Sequence, residues 1–161
     1  ALLLLSALLV GCADRCADLE GEPSLEIGGA PEAGDRFEAF ADGAARALVP
    51  GTQGGMHVRL HARIRGICPD TATLDRRVTD EAGELVQLGR GPIAWVDTED
   101  GFELDAPRAM VLCPGLDGRE VVDRPHRFVV SVEDGEGRRA DASLGFVPSC
   151  EDPALCDVFC P

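Results

Sequence analysis

Seven cysteines, three histidines and two acidic turns carry most of the chemistry available to this chain. Cys12, Cys16, Cys68, Cys113, Cys150, Cys156 and Cys160 are candidate metal ligands, thiolate nucleophiles or disulfide partners. The run Cys150-x5-Cys156-x3-Cys160 lacks the tightly spaced pairs of a zinc site. Disulfides explain the set better than reactive thiolates do. His57 and His61 are spaced to meet over one metal ion on a helix. On a strand they share a face but stand about 13 Å apart. A copper or zinc site would then need His126 or other groups brought in by the fold, and a solvated or salt-bridged strand face is the simpler expectation. Asp97, Glu99 and Asp100 crowd one turn, and Asp134 and Glu136 another. Calcium takes roughly six to eight oxygens, and neither turn has the EF-hand order, so solvated hairpin tips are expected. There is no G-x-S-x-G, and Ser131 and Ser143 fall inside strand-like runs. No catalytic residue and no cofactor are expected.

The elements that must position these groups are strands. Met56, Val58, Leu60, Ala62 and Ile64 alternate with His57, Arg59, His61, Arg63 and Arg65. That period of two marks a half-buried strand rather than a helix. Its basic stripe suits an anion or an acidic partner, but cross-strand pairing with Asp or Glu is the expected use. Gln53-Gly54-Gly55 before it reads as a flexible entry loop; a phosphate cradle would need a helix to follow, and a strand does. Shorter strand-like runs cover 72–79, 85–88, 93–96, 102–104 and 109–112. Turn signals separate them at Glu81-Ala82-Gly83, Gly89-Arg90-Gly91-Pro92, Asp100-Gly101 and Pro114-Gly115. Leu25 and Ile27 suggest a short edge strand, while 36–48 reads equally as a short helix or as a strand and a turn. Phe128, Val130 and Val132, then Asp134-Gly135-Glu136-Gly137, then Ala142, Leu144 and Phe146 describe a hairpin.

Composition bounds the partners. The net charge is -14, which disfavours nucleic acid and anionic membrane surfaces. Lys, Asn and Tyr are absent, while Arg, Ala, Gly and Pro abound. The missing residues share A/T-rich codons, so an Arg-only basic set reflects genome composition rather than phosphate recognition. Trp95 is the sole tryptophan, too little for a stacking platform that binds sugars.

Residues 1–11 are an uncharged, leucine-rich run ending in Leu9-Val10-Gly11 before Cys12. It is shorter than the ~20 residues of a spanning helix and fits the apolar core of a secretory signal. With its cysteine it resembles the lipobox of bacterial lipoproteins. The resemblance implies a diacylglyceryl thioether on Cys12 and cleavage after Gly11. Because Ala13 rather than Asp follows, it also implies the outer membrane. The alternative is a plain secretory signal with Cys12 in a disulfide. Setting Cys12 aside leaves an even six, as a disulfide set in an exported protein requires. Cys68 and Cys113 each close an apolar run and precede Pro, so they are expected to pair, with Cys16 joining the C-terminal trio.

The closing hairpin, a valine-rich strand followed by D-G-x-G, resembles that of immunoglobulin-like domains over roughly 55–148. The resemblance implies an all-β, antiparallel sandwich. Cys68, Trp95 and Cys113 share the Cys–Trp–Cys order of that family at a longer first spacing, and there is no tyrosine for a tyrosine corner. The expected organisation is a signal peptide (1–11), a lipidated tether (12–35), a β-sandwich (36–148) and a Cys-rich, disulfide-bonded tail (149–161). The expected role is a non-catalytic interaction or structural module, held to the membrane by lipid and facing an envelope protein. A periplasmic metal or small-ligand binder is the alternative.

Overall fold

The computed structural model describes residues 15–17, 19, 21–30, 34, 36–52, 54–115 and 119–160. The strands are β1 (Ser24–Gly28), β2 (Ala44–Ala47), β3 (Val49–Pro50), β4 (Met56–Arg65), β5 (Thr73–Asp80), β6 (Leu85–Pro92), β7 (Trp95–Thr98), β8 (Gly101–Leu104), β9 (Arg108–Cys113), β10 (His126–Glu133) and β11 (Arg139–Ser149). One helix, α1 (Pro153–Phe159), follows. They form an all-β sandwich of two sheets. In the first, β4 is central: β1, β3, β8 and β9 all pair with it, and β7 extends the sheet from β8. The second runs β2-β11-β10-β5-β6, antiparallel except where β2 lies parallel to β11.

The period-two pattern places the core as the sequence indicates. Val58, Leu60, Ala62 and Ile64 of β4 are buried, as are Leu74, Val78, Phe128, Val130, Val132 and Phe146 of the second sheet. Apart from Ala62, each such side chain contributes about 1.5–3 kcal/mol on burial, so these alternating faces dominate the stability of the sandwich. The Phe128 and Phe146 rings stack with centroids 4.2 Å apart on the closing hairpin.

Several local expectations change. The ambiguous stretch 36–48 contains β2, held by the edge of β11. The glycine-rich stretch expected as a turn at residues 89–92 is instead the second half of β6. Gly89 fits there because Arg76, which shares an inward face with Leu74 and Val78, passes its guanidinium over it. A Cβ on Gly89 would come within 2.8 Å of Arg76 Cζ. Pro92 is tolerated because β6 is an edge strand. In the tail, Asp152 caps α1 by accepting from Ala154 and Leu155 N–H groups, with Pro153 in the first turn.

The disulfides are Cys16–Cys68, Cys113–Cys160 and Cys150–Cys156. This corrects the expected pairing of Cys68 with Cys113 and of Cys16 with the C-terminal trio. Cys113 lies opposite Met56 at the start of β4, whereas Cys68 follows the end of that strand. The strand between them is about 30 Å long, far beyond the ~7 Å Cα separation that a disulfide spans. Cys12 lies outside the described residues.

Candidate functional site

The outer face of β4 is where the sequence placed its histidines and arginines, and the fold covers most of it. His61 is fully buried rather than solvated. The chain after β1 returns across the sheet, pairing Gly29 with Glu38. This sets Phe37 edge-on to the His61 ring, with centroids 5.9 Å apart. Close approach requires a glycine beneath, since a Cβ at Gly28 would meet the Glu38 carbonyl oxygen at 2.3 Å. The Ala62 N–H donates to His61 Nδ1 at 3.0 Å.

Beside this ring sits an ion cluster. Arg63 Nη2 donates to Glu103 Oε1 at 2.8 Å, and Nη1 lies 3.3 Å from Glu26 and 3.6 Å from Asp100. Glu26 and Glu103 are the register partners of Arg63 on β1 and β8, so the strand pairing builds this cluster. The Arg63 guanidinium also lies 4.5 Å from the Phe37 centroid. Burial alone would raise the Glu103 carboxyl. Hydrogen bonds from Arg63 and from the Phe37 N–H, with the charge of Arg63, outweigh burial and hold it below the usual carboxylate range. Arg65 reaches Glu26 at 3.4 Å. The basic stripe is thus largely answered by neighbouring acids, as cross-strand pairing requires.

His57 lies on the same strand, between Val49 of β3 and Val111 of β9. Burial, and then the nearby Arg59 charge, push its pKa down. His126 belongs to the other sheet, where its Nδ1 lies 2.7 Å from the Arg124 carbonyl oxygen and its ring packs 5.9 Å from Phe146. The fold therefore separates His126 from the other two. Among the described residues, no three His, Cys, Asp or Glu side chains converge as a metal-ligand set.

The acidic turns are also engaged. Asp97 pairs with Arg15, and Asp100 lies near Arg63 and Arg65. Asp134 is the departure from a solvated hairpin tip, since its side chain is 0% exposed. One oxygen accepts the Glu136 and Arg138 N–H groups at 3.0 Å each. The other accepts Cys68 N–H and Arg138 Nε–H at 2.8 Å each. Burial opposes its charge, but these hydrogen bonds prevail and keep the carboxyl below its ordinary value. Asp134 thereby ties the β10–β11 hairpin to the chain leaving β4, across the two sheets. The signal for this role was present in the D-G-E-G turn, whose first Asp is suited to accept backbone N–H groups.

An open concavity lies at the other end of the sandwich. A groove of about 420 Å³ is lined by Asp80, Val86, Arg119, Val121, Arg124 and His126. Arg119 bridges Asp80, at 2.9 Å, and Glu84 along its rim. A second cleft, of about 350 Å³, contains Glu38, Arg46, Arg59 and Glu151. Both fall in the size range of small-ligand sites.

The fold and these groups define a disulfide-tied all-β sandwich whose conspicuous ionisable residues hold strands together. No protein-family model matches the chain. A stretch of 67 residues, 40% of the chain, is 37% identical to the adaptin ear-binding coat-associated protein 2 of Mus musculus. The proteins of that name from Rattus norvegicus and Bos taurus are each 36% identical over the same length. The match covers about a quarter of the length of these curated relatives. No helix among the described residues is long and apolar enough to cross a membrane.

Proposed function

We propose that this chain is a cell-envelope lipoprotein, anchored through a lipid on Cys12, whose sandwich serves as a non-catalytic interaction or structural module. The observation that carries this reading is the cysteine set. Cys16, Cys68, Cys113, Cys150, Cys156 and Cys160 satisfy one another in three disulfides. Cys12, directly after Leu9-Val10-Gly11, is left outside that set. This arrangement disfavours the alternative in which Cys12 is a disulfide partner. Three disulfides also suit an oxidising, exported compartment. The burial of His61 and Asp134 and the pairing of Arg63 with Glu103 favour a structural use of these groups over a catalytic one. The periplasmic metal-binding alternative loses support because His126 and the His57–His61 pair lie on different sheets.

The test is metabolic labelling with an alkyne fatty acid in a bacterial host, with residues 1–12 kept as they stand. The wild-type protein should take up the label and enter the detergent phase, and Cys12→Ser should do neither. An unlabelled wild-type protein, or a Cys12→Ser variant that still enters the detergent phase, refutes the reading.

A further inference from the structure

The chain becomes fixed to the sandwich only a few residues beyond Cys12. Cys16 is bonded to Cys68, with Cα atoms 4.9 Å apart. Arg15 adds a second clamp. Its Nη1 pairs with Asp70 at 2.8 Å, its Nε donates to Asp97 at 3.2 Å, and its Nη2 donates to the Trp95 carbonyl at 2.9 Å. Its guanidinium also lies 5.2 Å from the Phe102 centroid. These partners come from the chain between β4 and β5 and from β7 and β8, so several parts of one end of the sandwich hold the same residue. Three residue steps separate Arg15 from Cys12. A fully extended chain covers at most about 11 Å in that distance. Were the segment free as far as β1, the corresponding reach would be about 40 Å.

We infer that the sandwich sits directly on the lipid surface, with the Cys16–Cys68 end toward the headgroups and the opposite end displayed. The inference rests on lipidation of Cys12. The ten-residue strand β4 sets the separation of the two ends at about 30 Å. The displayed end carries α1, the Cys113–Cys160 disulfide and the groove beside His126. The lipid-facing end presents Asp70, Asp97 and Asp100 with their arginine partners. It matches zwitterionic headgroups better than an anionic surface, which would repel the exposed carboxylates.

Energy transfer from tryptophan to a dansyl-headgroup lipid tests this, using the full lipidated protein in phosphatidylcholine vesicles. Trp95 is the native donor at the lipid-facing end. The comparison donor is Val158→Trp in a Trp95→Phe background, since Val158 is 68% exposed on α1 at the far end. Transfer from Trp95 should exceed that from position 158 at least twofold. Inserting ten Gly and Ser residues between Ala13 and Asp14 should at least halve the Trp95 signal. That insertion leaves the sandwich untouched and carries the test alone if Trp95→Phe fails to fold. Equal or greater transfer at position 158, or no response to the insertion, overturns the orientation while vesicle flotation still supports the anchor. Failure of the wild-type protein to float with vesicles overturns the anchor and the orientation together.

Discussion

Replacing Asp134 by asparagine preserves shape but gives one of two acceptor oxygens a donor. Asparagine can keep the pair of bonds from Glu136 and Arg138 N–H groups. Its NH2 must then face Cys68 N–H and Arg138 Nε–H, the donors now held at 2.8 Å each. Leaving the buried Cys68 N–H without an acceptor costs about 1–3 kcal/mol. Losing the ionic bond to the partly exposed Arg138 adds about 1 kcal/mol. The expected destabilisation is therefore about 2–4 kcal/mol at pH 7. It is read from urea unfolding of the disulfide-intact protein by circular dichroism. The pH dependence supplies a second check. The folded carboxyl lies below its ordinary value of 3.8. Its contribution is therefore present above that value and lost as the pH falls through the lower, folded one. Wild type and Asp134→Asn should converge in acid. A cost under about 0.5 kcal/mol at pH 7 would show that the cross-sheet tie is not made, since even one buried unsatisfied N–H exceeds it. A difference that stays constant with pH would remove the carboxylate charge from the explanation.

Glu103→Gln should destabilise by about 1–3 kcal/mol at neutral pH, because it weakens the pair that the buried Glu103 makes with Arg63. The folded Glu103 carboxyl is also held low, so this penalty should fade as the pH falls through its folded value, as followed by thermal unfolding. Arg76→Met should stabilise the protein by about 1–2 kcal/mol, measured by urea titration. Arg76 Nε is buried without a hydrogen-bond partner, and burial and the nearby Arg108 push its pKa down. Serine substitution at both positions of a disulfide should rank with loop length. Loss of Cys150–Cys156, with a separation of 6, should cost about 2 kcal/mol and loss of Cys16–Cys68, with a separation of 52, about 4 kcal/mol. Calorimetry of the two variants checks the order.

Much of the architecture was legible because alternation is a local property. The faces of β4, β10 and β11 follow from period two in residues 56–65, 126–133 and 139–149, and the D-G-E-G turn fixes the last hairpin. The expectation of cross-strand acids opposite Arg63 also needed only the knowledge that a central strand has neighbours. Periodicity says which face a side chain occupies, not what later covers it, so the choice between a solvated and a salt-bridged face, and the burial of His61, needed the fold. Phe37, far from His61 in sequence, closes over that ring. The short helix α1 is not legible from periodicity because seven residues are too few to establish a helical period, although Asp152-Pro153 carries its cap.

The sequence by itself determined the strand-rich class, the inward apolar faces and an even set of six cysteines beyond Cys12. Those features depend on residue type and near-neighbour spacing, which the chain carries in one dimension. Only the tertiary structure decided which cysteines meet, that Asp134 turns inward to tie two sheets, and that Arg15 and Cys16 clamp the segment after Cys12. Each of these depends on the distance between segments far apart in the chain, and that distance is set by how β4 spans the sandwich from one end to the other.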